Sequence, residues 1–156
     1  MKITSHSVKD TLNIGKKIVR LLKKGDIICL FGQLGAGKTV LVKGLAMGLG
    51  MKKEEIVSPT FVLLNRYEKG RLPLYHFDLY RLESKKDILA LGYEEYFYGD
   101  GVSVIEWADR LGNLLPKEYL KVNLNIKNAH ARQLIFSARG KNYTDLLRKI
   151  NEALRD

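Results

Sequence analysis

Gly32, Gly37, Lys38 and Thr39 stand in the spacing Gly-x-x-x-x-Gly-Lys-Thr, inside the stretch FGQLGAGKTVLV from Phe31 to Val42. That spacing carries phosphate chemistry. Glycines at 32, 35 and 37 let the backbone wrap closely, so that its N–H groups converge on phosphate oxygens. A helix beginning near Lys38 adds the positive end of its dipole. Lys38 is expected to reach the β- and γ-phosphates, and the Thr39 hydroxyl to ligate Mg²⁺. The expected nucleotide contacts therefore run through Gly32, Gln33, Leu34, Gly35, Ala36, Gly37, Lys38, Thr39 and Val40.

A phosphate loop also needs an acid for the metal and a group that places the attacking water. Glu106 follows the apolar run VSVI, at the C-terminal end of a buried strand, where a carboxylate can hold Mg²⁺ directly or through water. Asp78 closes LYHFD and can order the water or share the metal. Ser58-Pro59-Thr60 lies about twenty residues beyond Lys38, in a loop before a strand. Switch-type nucleotide-binding proteins place a γ-phosphate-sensing threonine in such a loop, so Thr60 joins the candidates. His76 reads as structural. Trp107, beside Glu106, reads equally as core or as a neighbour of the site.

These residues need strands and helices to hold them. Ser7 to Asp10 has capping-box spacing, and Val8, Leu12, Ile18, Val19 and Leu22 then recur at helical period until Gly25. DIICLF is a short two-sided apolar run, as a central parallel strand requires. KTVLVKGLAMGLG continues from the loop as a helix. TFVLLNRYEKGRLPLYHFDLYRL predicts two strands joined through Glu68-Lys69-Gly70. SKKDILALGYEEYF predicts one helix capped at Ser84, VSVIEW a buried strand, and a short helix follows up to Pro116. KVNLNI and RQLIFSA predict an edge hairpin, and residues 144 to 154 a closing amphipathic helix. The expected fold is one α/β domain over 1–156: a P-loop NTPase with a mixed, mostly parallel central sheet and helices on both faces.

The chain of 156 residues can bury a real core, and 46% hydrophobic with 28% charged residues is ordinary for a soluble globular domain. No signal-peptide pattern follows the first lysine, and no apolar run is long enough for a bilayer. A lone cysteine, Cys29, excludes an internal disulfide framework and fits a cytoplasmic setting. The net charge is +10, with the basic excess at the two ends and the acidic residues gathered in the middle third. Basic ends suit RNA or an acidic partner, or form a solvated face.

Taken together, GQLGAGKT, SPTF, HFDLYRL and VIEWADRL, in this order and spacing, resemble the TsaE (YjeE) family of small bacterial ATPases. The likeness runs from about Phe31 to Leu115. It implies an ATP- and Mg²⁺-dependent component of the tRNA threonylcarbamoyladenosine system, acting with the TsaB and TsaD proteins on adenosine 37, with tRNA met through that complex or a basic face. It also implies that Lys38 and Thr39 bind nucleotide and Mg²⁺, that Thr60 belongs to a switch-like loop, and that Asp78 and Glu106 are the acids of the ATPase site. Two positions depart from the pattern. Gln33 stands where an acid is expected, and Val40 where a second hydroxyl is common.

Other readings explain less. A small-molecule kinase needs an acceptor domain or arginine-rich lid for which the chain has little room. A switch-type GTPase needs an Asn-Lys-x-Asp segment, and none is present. A non-enzymatic RNA-binding module leaves Asp78, Glu106 and the loop without a purpose.

Overall fold

The computed structural model describes residues 1–59 and 62–155. Its centre is β2 (Ile27–Phe31), flanked in parallel by β5 (Val102–Glu106) and β6 (Tyr119–Ile126). β4 (Leu74–Asp78) pairs parallel to β5, and β3 (Leu64–Tyr67) antiparallel to β4. On the other side β7 (Arg132–Arg139) runs antiparallel to β6, and β1 (Lys2–Ser5) antiparallel to β7. The order is β1-β7-β6-β2-β5-β4-β3, with every strand except β3 and β7 pointing the same way. The expected mixed, mostly parallel sheet is what forms.

Strand periodicity divides the core in two. Ile28 and Leu30 point to one face, where α1 (Val8–Val19), α2 (Lys38–Gly48) and α5 (Lys141–Arg155) pack. Ile27 and Cys29 point to the other, under α3 (Lys85–Ala90), α4 (Tyr93–Phe97) and a 3-10 segment from Ala108 to Leu114. A strand buried on both sides has no polar face to alternate, hence the unbroken apolar run in the sequence. Burial also pushes the Cys29 thiol's pKa far up, which leaves it an inert core residue.

Several boundaries differ from expectation. The β6–β7 hairpin is not at the sheet edge, because β1 covers β7. Four residues are too short for a periodic signal. The expected helix from Ser84 splits at Gly92, whose φ of 66° turns the chain between α3 and α4. α1 ends at Val19, and the Arg71 guanidinium donates to the carbonyls of Val19 (2.7 Å) and Leu22 (3.3 Å) just beyond it. Val8, expected on the apolar stripe, is 65% exposed. The first strand of the β3–β4 hairpin begins at Leu64, after a turn with Leu63 at φ 64°. Among the described residues, no helix is long and apolar enough to cross a membrane.

The α1–α2 contact fixes the phosphate loop's helix to the body of the domain. Ser7 begins α1 by accepting the Asp10 N–H at 3.0 Å, while Asp10 accepts the His6 N–H at 3.0 Å. The two backbones then meet at glycines. A Cβ on Gly44 would lie 2.5 Å from the Leu12 carbonyl oxygen, and one on Gly15 2.7 Å from the Leu45 nitrogen. Both obstacles are backbone, so no rotamer change relieves them. Gly44→Ala gains about 1 kcal/mol of helix propensity, but overpacking costs about 1–3 kcal/mol or more. The substitution is expected to lower the urea midpoint with an unchanged slope; a midpoint at or above wild type would show that the helices separate freely.

Candidate nucleotide site

Parallel strands end together, and a loop leaving a central strand opens onto that common rim. Here β2, β5 and β4 deliver the Phe31–Lys38 turn, Glu106 and Asp78 side by side, with Leu30 and Asp78 each in register with Glu106. Gly37 precedes α2 at φ 98°, a left-handed conformation that glycine adopts without a Cβ clash. Gly32 passes β6 so closely that a Cβ would lie 2.5 Å from the Leu124 carbonyl oxygen. The loop is therefore clamped by packing at its start and free of side-chain bulk at its end.

Lys38 is only 4% exposed. Its ammonium donates to the Gly32 carbonyl at 2.5 Å and the Gln33 carbonyl at 2.9 Å, and stands 4.1 Å from the Trp107 ring centre. Burial pushes its pKa down, opposed by the carboxylates of Glu106, Asp78 and Asp109. Thr39 donates its hydroxyl to the Glu106 carboxylate, at 2.9 Å from Oε1 and 3.1 Å from Oε2. Glu106 is itself 3% exposed and makes a further contact to His76 Nε2 at 2.5 Å. Asp78 accepts from the Ser58 hydroxyl at 2.6 Å and from the Tyr80 N–H at 3.1 Å.

A cleft of about 440 Å³ opens over these groups. Leu34 through Val40 line it from the loop, and Asp78 and Glu106 from the strand ends, with Ser58, Tyr80, Arg81 and Trp107 around them. Gly32 and Gln33 stand outside the lining and instead supply the carbonyls that hold Lys38. The expected residues from Leu34 to Thr39 thus meet Asp78 and Glu106 in one cleft. Thr60 lies outside the described residues. The donor set suits Mg²⁺: one hydroxyl and one or two carboxylates, the remaining ligands coming from phosphate and water. Among the described residues no group of three or more histidine, cysteine or carboxylate side chains is placed to hold a metal ion by itself.

Three features escaped the sequence. Ser58, rather than a generic loop turn, is tied to Asp78. Trp107 takes φ 57° and ψ 43°, a strained conformation for a bulky side chain, and this sharp turn after Glu106 lays its ring beside Lys38 and 5.0 Å from that of Tyr80. Val40 lines a second cleft of about 300 Å³ as well, on the far side of the loop. There His6 and Val8, at the entry to α1, line it with His130 of the β6–β7 turn and Arg132, the first residue of β7, and Arg132 donates to the Gly35 carbonyl at 3.2 Å. Residues so far apart in sequence share no spacing pattern that could announce them.

A glycine-lined loop between a buried parallel strand and a helix, with lysine, hydroxyl and strand-end carboxylate converging, defines a P-loop domain. The family model for "Threonylcarbamoyl adenosine biosynthesis protein TsaE" matches residues 5–134. The tRNA threonylcarbamoyladenosine biosynthesis protein TsaE of Treponema pallidum is 48% identical over 126 residues, covering 81% of this chain and 92% of that protein. Its Bacillus subtilis counterpart is 39% identical over 143 residues, covering 92% and 89%. The crystal structure of Bacillus subtilis YdiB superposes with a TM-score of 0.85 at 36% identity, covering 97% of this chain and 94% of that one. The chain belongs to the TsaE family, and its place is in tRNA threonylcarbamoyladenosine biosynthesis.

Trp107 is the sole tryptophan. A phosphate that draws the Lys38 ammonium off its ring changes the indole's surroundings. Its emission is expected to shift on ADP addition, with a dissociation constant matching calorimetry; silent fluorescence at saturating ADP would mean that the ammonium–indole contact persists in the complex.

Proposed function

We propose that this protein is a Mg²⁺-dependent ATPase whose nucleotide cycle assembles and resets a TsaB–TsaD complex that modifies adenosine 37 of tRNA. The observation that carries this reading is the junction of Lys38, Thr39 and Glu106: a buried ammonium and a buried carboxylate joined through the helix that begins at the phosphate loop. Bound Mg²⁺ would neutralise phosphate charge and polarise the oxygens of the leaving group. Lys38 exchanges its two carbonyl partners for β- and γ-phosphate oxygens, a gain because a phosphate accepts more strongly than a peptide carbonyl. Thr39 and Glu106 would hold the cation, and Asp78, on the next strand, would order water or share the metal. Water adds to the γ-phosphorus, the bond to the bridging oxygen breaks, and ADP and phosphate leave.

On this reading the nucleoside would lie toward the second cleft. That cleft shares Gly35, Gly37 and Val40 with the phosphate side, so a nucleotide anchored at the loop can extend into it between His6 and Arg132. The chain lacks the Asn-Lys-x-Asp segment that reads guanine, which favours adenine. Val40 offers the α-phosphate its backbone N–H in place of a hydroxyl, and exposed Gln33 brings no carboxylate to the loop. Exposed Lys9 and Lys17 on α1, with Arg20 capping its end, provide a basic face for tRNA, which is met there or through the complex.

Glu106→Ala and Asp78→Ala are expected to retain much of the ADP affinity, because the loop amides and Lys38 hold the phosphates. ATP hydrolysis should fall on the order of a hundredfold or more when a charge-stabilising group is lost. Turnover near wild type in both variants would remove these residues from the mechanism.

The cycle itself is tested by reconstitution. With TsaB, TsaD, tRNA and threonylcarbamoyl donor, wild-type protein should support many rounds of modification per complex, while Lys38→Ala should support about one. Equal multiple turnover with the variant would refute an ATP-driven reset.

A further inference from the structure

His76 is the buried group to which the phosphate chemistry above gives no task. It is 0% exposed on β4, in register with Val104 of β5, and shares its sheet face with Asp78 and Glu106. Its Nε2 approaches Glu106 Oε2 at 2.5 Å, while its Nδ1 has no hydrogen-bond partner among the described residues. That asymmetry assigns the tautomer. With the proton on Nε2, the ring donates to the carboxylate and leaves only a bare lone pair at Nδ1. With the proton on Nδ1, lone pairs would oppose each other at Glu106 and an N–H would be orphaned in the interior.

We propose that His76 is a positioning residue for the metal site: its Nε2–H holds the Glu106 carboxylate turned toward Thr39, so that the divalent cation accompanying the nucleotide meets an oriented ligand. The inference rests on the Mg²⁺–nucleotide reading above and adds to it a residue outside the cleft lining. Both carboxylate oxygens face the Thr39 hydroxyl, at 2.9 and 3.1 Å, but one hydroxyl hydrogen satisfies one oxygen at a time. His76 is the second donor. Without it a 3%-exposed carboxylate keeps a single hydrogen bond and can rotate about its last torsion. Hydrogen-bond partners of this kind typically set metal affinity by about 10–100-fold.

A packing role and a positioning role make different demands. Packing is needed whether or not a metal is bound, whereas positioning matters only for the metal-dependent part of nucleotide binding. The test is ADP binding, read by Trp107 fluorescence, in EDTA and then across an Mg²⁺ titration, for wild type, His76→Leu, His76→Asn and His76→Gln. Glutamine carries an N–H donor to about the reach of Nε2; asparagine stops near Nδ1. Expected is an affinity in EDTA within about twofold of wild type throughout, with half-saturating Mg²⁺ raised about tenfold or more in the Leu and Asn variants and restored to within about threefold by Gln. Should the Leu variant not fold, the Asn–Gln pair carries the same contrast. A wild type responding to Mg²⁺ with Asn and Leu variants responding alike overturns the positioning role alone, as does an equal loss with and without metal. A wild type indifferent to Mg²⁺ overturns the metal reading and this inference together.

Discussion

A carboxylate removed from water must be met by donors or cost several kcal/mol, and the Glu106 side chain is under that constraint at the heart of this domain. Its strand, β5, is buried along its whole length between β2 and β4. The donors must therefore come from above and beside: Thr39 from the first turn of α2 and His76 from β4. Satisfying one charge thus ties the phosphate loop's helix to two strands. Lys38, buried a residue earlier, adds the opposite charge and donates its hydrogen bonds to the loop's own carbonyls. The loop is held in shape by the groups that would act on a phosphate.

Holding α2 by its first turn is not enough if its body can tilt. The glycine crossing with α1 removes that freedom, because Gly15 and Gly44 let main chains touch where any side chain would separate them. The same crossing has a consequence at the other end of α1. It brings His6 and Val8 beside the loop, in one cleft with Arg132 at the start of β7, and so helps to build the second cleft. Val8 is exposed for this reason: it begins a helix whose first turn faces a cleft rather than the core. The packing that fixes the phosphate loop also builds a wall of the second cleft.

What was legible in the sequence was whatever local spacing encodes. Gly32 to Thr39 declared the loop, the two-sided run at Ile27–Phe31 declared a central strand, and Glu106 and Asp78 declared themselves by ending strands. Three kinds of information were not local. β1 is only four residues long, and its pairing with β7 depends on contacts more than a hundred residues away. His76 looks like any lone histidine until strand register places it beside Glu106. Arg132 lies at the start of a strand, where nothing distinguishes it from a solvated charge. The break at Gly92 was misread because helical spacing continues across it, and a single left-handed residue overrides that period.

Asp78 connects the site to the surface. One oxygen takes the Ser58 hydroxyl and the other the Tyr80 N–H, so this carboxylate joins the strand-end rim to two outlying segments at once. Around them Leu34, Val57, Val62 and Tyr80 are exposed apolar side chains. Under the proposed function, a metal–nucleotide complex competes with Ser58 for the lone pairs of Asp78, and the Ser58 segment responds to which of them holds that oxygen. Linkage makes the relation reciprocal. A partner that binds the segment in its nucleotide-bound arrangement must raise nucleotide affinity by the factor with which nucleotide raises its own. Such a coupling would pass through the short Ser58–Asp78 hydrogen bond at the end of β4, a strand held between β3 and β5. On that reading the domain would change what it presents to a partner while the close α1–α2 crossing holds the loop's helix to the central strands.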